Sequence, residues 1–208
     1  LTDAAIRALH AHGVDAISLS LDGADAARHD AIRQVPGTFA RTLAAAETAR
    51  DVGLPFQVNT LVCAETVDDL PALYDRVVAL GAARWSLFFL VTVGRGDVLA
   101  PLSPERAEAV LAWVAERMAR RAVEGASGLI LTTTEAPQVR RVVAERRRLT
   151  LDAAVRPRSP SAAATHGAGI RDGNGILFIS NTGQICPSGF LELPCGNVHT
   201  ADVGTVYR

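Results

Sequence analysis

Two hydrophobic periods take turns along the chain. Stretches with apolar residues every three to four positions, the spacing of a helix face, are separated by short alternating or wholly apolar stretches typical of strands. Thr2 caps a first helical pattern with Ile6 and Leu9 inward, and Gly13 stops it. A strand is predicted over residues 18–22, with Leu19 and Leu21 (and Ile17 before them) facing one way and Ser18, Ser20 and Asp22 the other. Residues 24–37 read as a polar loop carrying His29, Asp30 and Arg33. Thr38 opens a helix with Phe39, Leu43, Ala46 and Val52 inward and Gly53 as its stop. Residues 56–62 form a strand in which Gln57 and Asn59 oppose Phe56, Val58 and Thr60. A helix over 67–80 has Asp68 and Asp69 near its positive end and stops at Gly81. Residues 84–91 are nearly all apolar, as in a strand buried on both faces, and run into the loop Thr92-Val93-Gly94-Arg95-Gly96. Ser103-Pro104-Glu105 starts a long helix, 129–134 is a further strand, and Pro137 begins an Arg-rich helix to about Leu149.

This order implies parallel strands joined by right-handed crossovers, with the helices covering the apolar strand face. A row of hydroxyls and a carboxylate on the other face is costly unless something polar meets it. Asp22-Gly23 also lies at the carboxyl edge, where α/β folds bind ligands. A solvated edge strand ending in a turn is the plainer alternative. No glycine fingerprint for a dinucleotide follows any strand, so a (β/α) barrel, open or closed, is favoured over a doubly wound sheet.

The character changes after residue 150. Residues 151–175, with Pro157, Pro160, a Ser/Ala run and four glycines, read as a flexible linker. Residues 176–180 and 184–186 then flank Asn181-Thr182-Gly183, a three-residue hairpin turn. Residues 176–208 are too short to close a core and read as the start of a second domain.

The totals narrow the class. A net charge of −1 offers no field for nucleic acid or an anionic membrane, and no apolar run is long enough to span one. All 21 basic residues are Arg, which removes Schiff-base chemistry on lysine. Cys63, Cys186 and Cys195 do not make a disulfide framework and fit a reducing, cytoplasmic setting. The chain starts at Leu1 inside a helical pattern and reads as an excerpt of something longer.

Ser18-Leu-Ser-Leu-Asp-Gly23 with His29-Asp30-Ala31-Ile32-Arg33, Gly37-Thr-Phe39, Val58-Asn59-Thr60, Thr66 to Leu70, Gly94-Arg95-Gly96 and Gly196-Asn197-Val198 together resemble the radical S-adenosylmethionine enzymes with a C-terminal SPASM-type domain. The look is nearest to the haem-modifying and molybdenum-cofactor branches. The resemblance implies an α/β fold, the second half of a partial (β/α) barrel over 1–150, followed by a β-hairpin that starts the small SPASM-like domain. It implies an oxidoreductase that cleaves S-adenosylmethionine reductively to a 5′-deoxyadenosyl radical, which abstracts hydrogen from a peptide or tetrapyrrole substrate. An electron donor such as flavodoxin or ferredoxin goes with that chemistry. Carried over residue by residue, Ser20 and Asp22, with Ser18, contact the ribose and amino-acid part. Asn59 matches on the next strand, and the region from Leu90 to Arg95 lies near adenine.

One departure from the family stands out. The catalytic [4Fe–4S] cluster needs a CxxxCxxC triplet, and this sequence has none, so its ligands are expected before Leu1. Arg33 has a planar fork suited to a carboxylate or phosphate, and an ion pair with Asp30 or Asp22 suits it equally. Cys186 and Cys195 resemble the opening of an auxiliary-cluster domain, and two ordinary small thiols are the other account. Cys63 reads as core, His29 as a local hydrogen-bonding residue or an acid–base partner of Asp30, and Glu135 as paired with Arg140 or Arg141 or facing substrate. Trp85 and Trp113 read as packing. Two further functions stay open: a metal-assisted lyase on Asp22, Glu135 and His29, and a binding module that keeps the cofactor cradle without a cluster.

Overall fold

A computed structural model describes residues 1–92, 98–124, 128–151, 173, 176–189, 191 and 193–207. The chain forms two compact units, Leu1–Ala153 and Ala154–Arg208. In the first, β1 (Ile17–Ser20), β2 (Phe56–Val62), β3 (Arg84–Phe89) and β4 (Ile130–Thr134) form a parallel sheet in the order β1-β2-β3-β4. Spatial order equals chain order, so the strands wind in one direction with no reversal. That is how a barrel wall is built, and a doubly wound sheet is not.

Helices α1 (Asp3–Ala11), α2 (Ala26–Arg33), α3 (Thr38–Asp51), α4 (Leu70–Leu80), α5 (Pro104–Glu124) and α6 (Val139–Leu151) alternate with the strands, and a 3₁₀ turn, Val67–Asp69, precedes α4. The caps follow the sequence. Thr2 Oγ1 accepts from the Ala5 amide at 3.2 Å, and Gly53 and Gly81 stop α3 and α4 with φ of 75° and 79°. The predicted loop over 24–37 is the exception, because eight of its residues are helix α2. Asp25 caps that helix by accepting from the Arg28 amide at 2.9 Å, and Gln34 ends it in the left-handed region at φ 55°. Ile32 is its one large apolar side chain beside three alanines, so no apolar stripe signals it.

Strand parity sets the two faces of the sheet. In β2, Phe56, Val58, Thr60 and Val62 are buried on the helix side, while Gln57, Asn59 and Leu61 are half-buried on the other. The core under the helices joins Leu19, Val58, Trp85 and Leu131, aligned across all four strands, to Ile6, Leu73, Val77 and Val114. Trp85 is fully buried, donates to Thr60 Oγ1 at 2.8 Å and meets Trp113 edge-on at 6.2 Å. Such a ring contributes its hydrophobic area plus about 1 kcal/mol from the aromatic contact.

In the second unit, β5 (Phe178–Ile179), β6 (Gln184–Cys186) and β7 (Gly196–Asn197) form an antiparallel sheet, and α7 (Val203–Tyr207) follows. The hairpin turn is the expected one, with Gly183 at φ 81° donating to the Ser180 carbonyl at 2.9 Å. The third strand at Gly196-Asn197 was not anticipated. Most of the linker predicted over 151–175 lies outside the described residues.

Candidate functional site

The sheet face turned away from the helices is polar at one level. Ser20, Asn59, Ser86 and Thr132 are consecutive cross-strand partners, one from each strand. Cross-strand neighbours lie about 5 Å apart, so the four side chains make a continuous belt. Ser86 Oγ and Thr132 Oγ1 are 2.8 Å apart, and Gln57 Nε2 donates to Asn59 Oδ1 at 2.6 Å. Ser86 and Thr132 were missed in the sequence because β3 is apolar around the one and β4 is a run of threonines around the other. Parity counted from Asn59 would have found both.

Where β1 ends, the backbone turns at Asp22-Gly23 and is clamped from three sides. Leu61 donates its amide to Asp22 Oδ1 at 2.7 Å, fastening the carboxylate to β2. Ala24 is held by the Asp69 carboxylate at 2.8 Å and by Arg76, whose guanidinium donates to the Ala24 carbonyl at 3.1 Å. The third hold comes from α2, where His29 Nδ1 accepts the Asp22 amide at 3.0 Å and Arg33 Nη2 stands 2.5 Å from Asp22 Oδ2. Gly23 is required here, since a Cβ would fall 2.5 Å from the His29 backbone nitrogen.

Asp22 is 1% exposed, and its Oδ2 is buried without a hydrogen bond of ordinary geometry despite the adjacent guanidinium. Arg33 itself is 39% exposed and lines the groove above. The ion-pair reading of Arg33 is thus realised with Asp22, and the groove keeps an exposed cationic edge. Asp30 is used elsewhere. It accepts from the Gly37 and Phe39 amides and from Thr38, and these bonds hold its carboxyl below the usual range. His29 is buried, and burial pushes its imidazole below the ordinary 6.5 in spite of Asp22 nearby. Its Nδ1 accepts the Asp22 amide, the local hydrogen bond expected of it, while Asp30 is taken up by Gly37, Thr38 and Phe39.

A groove of about 1160 Å³ opens over this turn. Ser20, Asp22, Arg33, Asn59, Leu90 and Val91 line it, so four predicted site residues converge there. Ser18 does not: it lies one residue pair nearer the amino edge and is exposed. Arg95 lies outside the described residues. Glu65 was overlooked in the sequence and belongs to the wall, where its Oε1 accepts from the Ala100 amide at 3.0 Å.

The other candidates separate from this groove. Cys63 is fully buried, burial raises its thiol, and it packs as a core residue. Glu135 lies past β4 at φ 60° and lines a different cleft, while Arg141 pairs with Glu108 at 2.6 Å and Glu145 at 3.0 Å. Of the two arginines expected to pair with Glu135, Arg141 is thus engaged elsewhere, and Glu135 lies apart from Asp22 and His29 of the lyase reading. In the second unit Cys186 is buried and Cys195 exposed. The β6–β7 register pairs Gln184 with Asn197 and Ile185 with Gly196, and the Cys195 amide donates to the Ile185 carbonyl at 2.8 Å, so the two cysteines flank the end of this pairing. Among the described residues no three His, Cys, Asp or Glu side chains form a metal-holding group.

The chain is similar to several known proteins. Residues 1–77 match the model of the radical SAM superfamily. The AdoMet-dependent heme synthase of Methanosarcina barkeri is 34% identical over 203 residues, 95% of this chain and 54% of its own length. That of Nitratidesulfovibrio vulgaris is 33% identical over 202 residues, with 53% of its length covered. The PqqA peptide cyclase of Methylocella silvestris is 35% identical over 124 residues, 59% of this chain and 33% of its own length. The chain thus spans about half the length of the heme synthases it matches. In shape it resembles Streptococcus suis SuiB bound to S-adenosylmethionine, with a TM-score of 0.61 over 92% of this chain and 42% of that one at 16% identity.

Proposed function

We propose, from the match of residues 1–77 to the radical SAM superfamily model, that this chain supplies the S-adenosylmethionine cradle of a radical SAM oxidoreductase. One observation carries the reading: Ser20, Asp22, Asn59 and Arg33, on two strands and a helix, face a single groove at the carboxyl edge of the sheet. The donor set suits the ligand. The hydroxyl and amide of Ser20 and Asn59 match a ribose, the exposed edge of Arg33 matches the methionyl carboxylate, and Leu90 and Val91 offer an apolar surface to adenine. The Asp22 carboxylate, buried and paired with Arg33, holds that guanidinium at the groove floor. With S-adenosylmethionine bound there, its C5′–S bond would be open to one-electron reductive cleavage to methionine and a 5′-deoxyadenosyl radical by a reductant from outside this chain; the residues of this chain would bind it, orient it and exclude water.

The catalytic [4Fe–4S] cluster does not fit the described residues, whose one thiol in the first unit is the buried, protonated Cys63. No step is assigned to it. Cys186 and Cys195 are proposed as two ligands of an auxiliary cluster in a SPASM-type domain. Flavodoxin or ferredoxin as electron donor, and a cytoplasmic setting, belong to the same proposal. No helix among the described residues is long and apolar enough to cross a membrane.

A tetrapyrrole is the proposed substrate, since the relatives aligned along nearly the whole chain are heme synthases. A peptide is the second reading, favoured by the cyclases aligned over shorter stretches. The test is equilibrium binding of S-adenosylmethionine to the anaerobically purified protein carrying this chain. Replacing Asn59 or Ser20 by Ala is expected to weaken binding by about tenfold, the worth of one good hydrogen bond. Unchanged affinity in both variants, with the fold intact, would overturn the cradle.

A further inference from the structure

Resting on the cofactor reading above, we propose that His29 is a positioning residue of the cradle: from behind the groove it fixes where Asp22 and Arg33 stand. The side chain touches neither the groove nor solvent, being 1% exposed. Its Nδ1 takes the amide of Asp22, the residue whose carboxylate lies under the groove. One helical turn later on the same face, Arg33 takes that carboxylate. Helix α2 therefore grips Asp22 twice, by backbone and by side chain, and the two grips share one rigid element.

This arrangement fixes three things together. The Asp22 amide, at a strand end, has its acceptor in His29; without it a buried N–H is left unpaired, which is costly. The position of α2 on the sheet sets where its last turn lies, and Ala31, Ile32, Arg33 and Gln34 of that turn form a groove wall. The tight turn at Gly23 transmits any shift directly, because the His29 backbone leaves no room for even a Cβ there. The ring rests on Phe39 of α3 at 5.9 Å, so the whole assembly is seated on the helix layer. The charged groups facing His29 are Asp22 from β1 and Asp30 and Arg33 from its own helix.

Two replacements separate the acceptor from the packing. His29→Asn keeps an acceptor near the place of Nδ1 and loses the ring; His29→Phe keeps a ring against Phe39 and loses the acceptor. Both are made in the anaerobically purified protein carrying this chain, and S-adenosylmethionine affinity and the thermal midpoint are measured side by side. The expected result is that folded His29→Phe binds about tenfold more weakly while His29→Asn stays within about threefold of the wild type, whichever of the two is the more stable. If affinity follows the ring instead, or His29→Phe binds like the wild type, His29 is packing and the proposal falls while the cradle stands. If the wild type binds no S-adenosylmethionine, the cradle itself falls, and this role with it.

Discussion

At the scale of single residues, side-chain parity told which way each group points and nothing of what it would meet. Ser20, Asp22 and Asn59 were placed on the right face from alternation alone. The engagement of Asp22 with Leu61 and His29 was not visible, because both partners come from a strand pairing and a helix that the local pattern does not specify. His29 yields a pH prediction. Its neutral form is favoured on folding, so its contribution is complete above the ordinary 6.5 and is lost as pH falls below that toward the depressed folded value. Denaturation midpoints measured from about pH 8 to about pH 5 are expected to decline in the wild type below that point and to be flatter in His29→Asn. Identical slopes would remove His29 as the cause. Thiol reactivity gives a second residue-scale expectation. Exposed Cys195 reacts first with an alkylating reagent, and Cys63, buried and with its thiol pushed up, reacts only when the chain unfolds. Fast labelling of Cys63 in the native protein would contradict its place in the core.

Elements with an apolar stripe were legible and the one without was not. Strand 56–62 was read at its observed limits, and the helices ending at Gly53 and Gly81 were read from hydrophobic spacing and a glycine stop. Helix α2 escaped because its stability is tertiary: a cap at Asp25, a buried imidazole and an ion pair replace the apolar face. Its junction with β1 is accordingly the most sensitive backbone site in the first unit. Gly23→Ala drives a Cβ to 2.5 Å from the His29 nitrogen and 2.9 Å from the Arg28 Cβ, and backbone cannot yield as a flexible side-chain end can. A loss of more than about 3 kcal/mol is expected, against about 1 kcal/mol for Gly13→Ala, where φ is strained but the space is open. Equal losses in urea unfolding would mean that the turn at Gly23 relaxes and does not hold α2 to the sheet. Asp25→Ala, which removes only the cap, belongs between no effect and about 2 kcal/mol.

Across the molecule, the two units divide the proposed chemistry. Every residue proposed for the cradle lies within Leu1–Ala153, and Cys186 and Cys195 lie within Ala154–Arg208. The sequence changes composition near residue 150, and its order of helices and strands implies parallel strands, a property that a doubly wound sheet shares with a barrel wall. It did not disclose the third strand at Gly196-Asn197, since two residues carry no period; the pairing with β6 brings Cys195 to the end of the strand that carries Cys186. That placement makes a division of metal content testable. Two thiols at one end of this small sheet, Cys186 in β6 and Cys195 just before β7, are proposed to share an iron–sulfur cluster with further ligands once deprotonated. Replacing both by Ser in the anaerobically reconstituted protein is expected to lower bound iron and sulfide by one cluster's worth and to leave S-adenosylmethionine affinity within about twofold, because the residues that line the groove all belong to the first unit. Asn59→Ala is expected to do the reverse, weakening cofactor binding at unchanged iron. Iron content that stays constant in the double Ser variant would return Cys186 and Cys195 to ordinary packing and surface roles, and would detach the auxiliary cluster from this part of the chain.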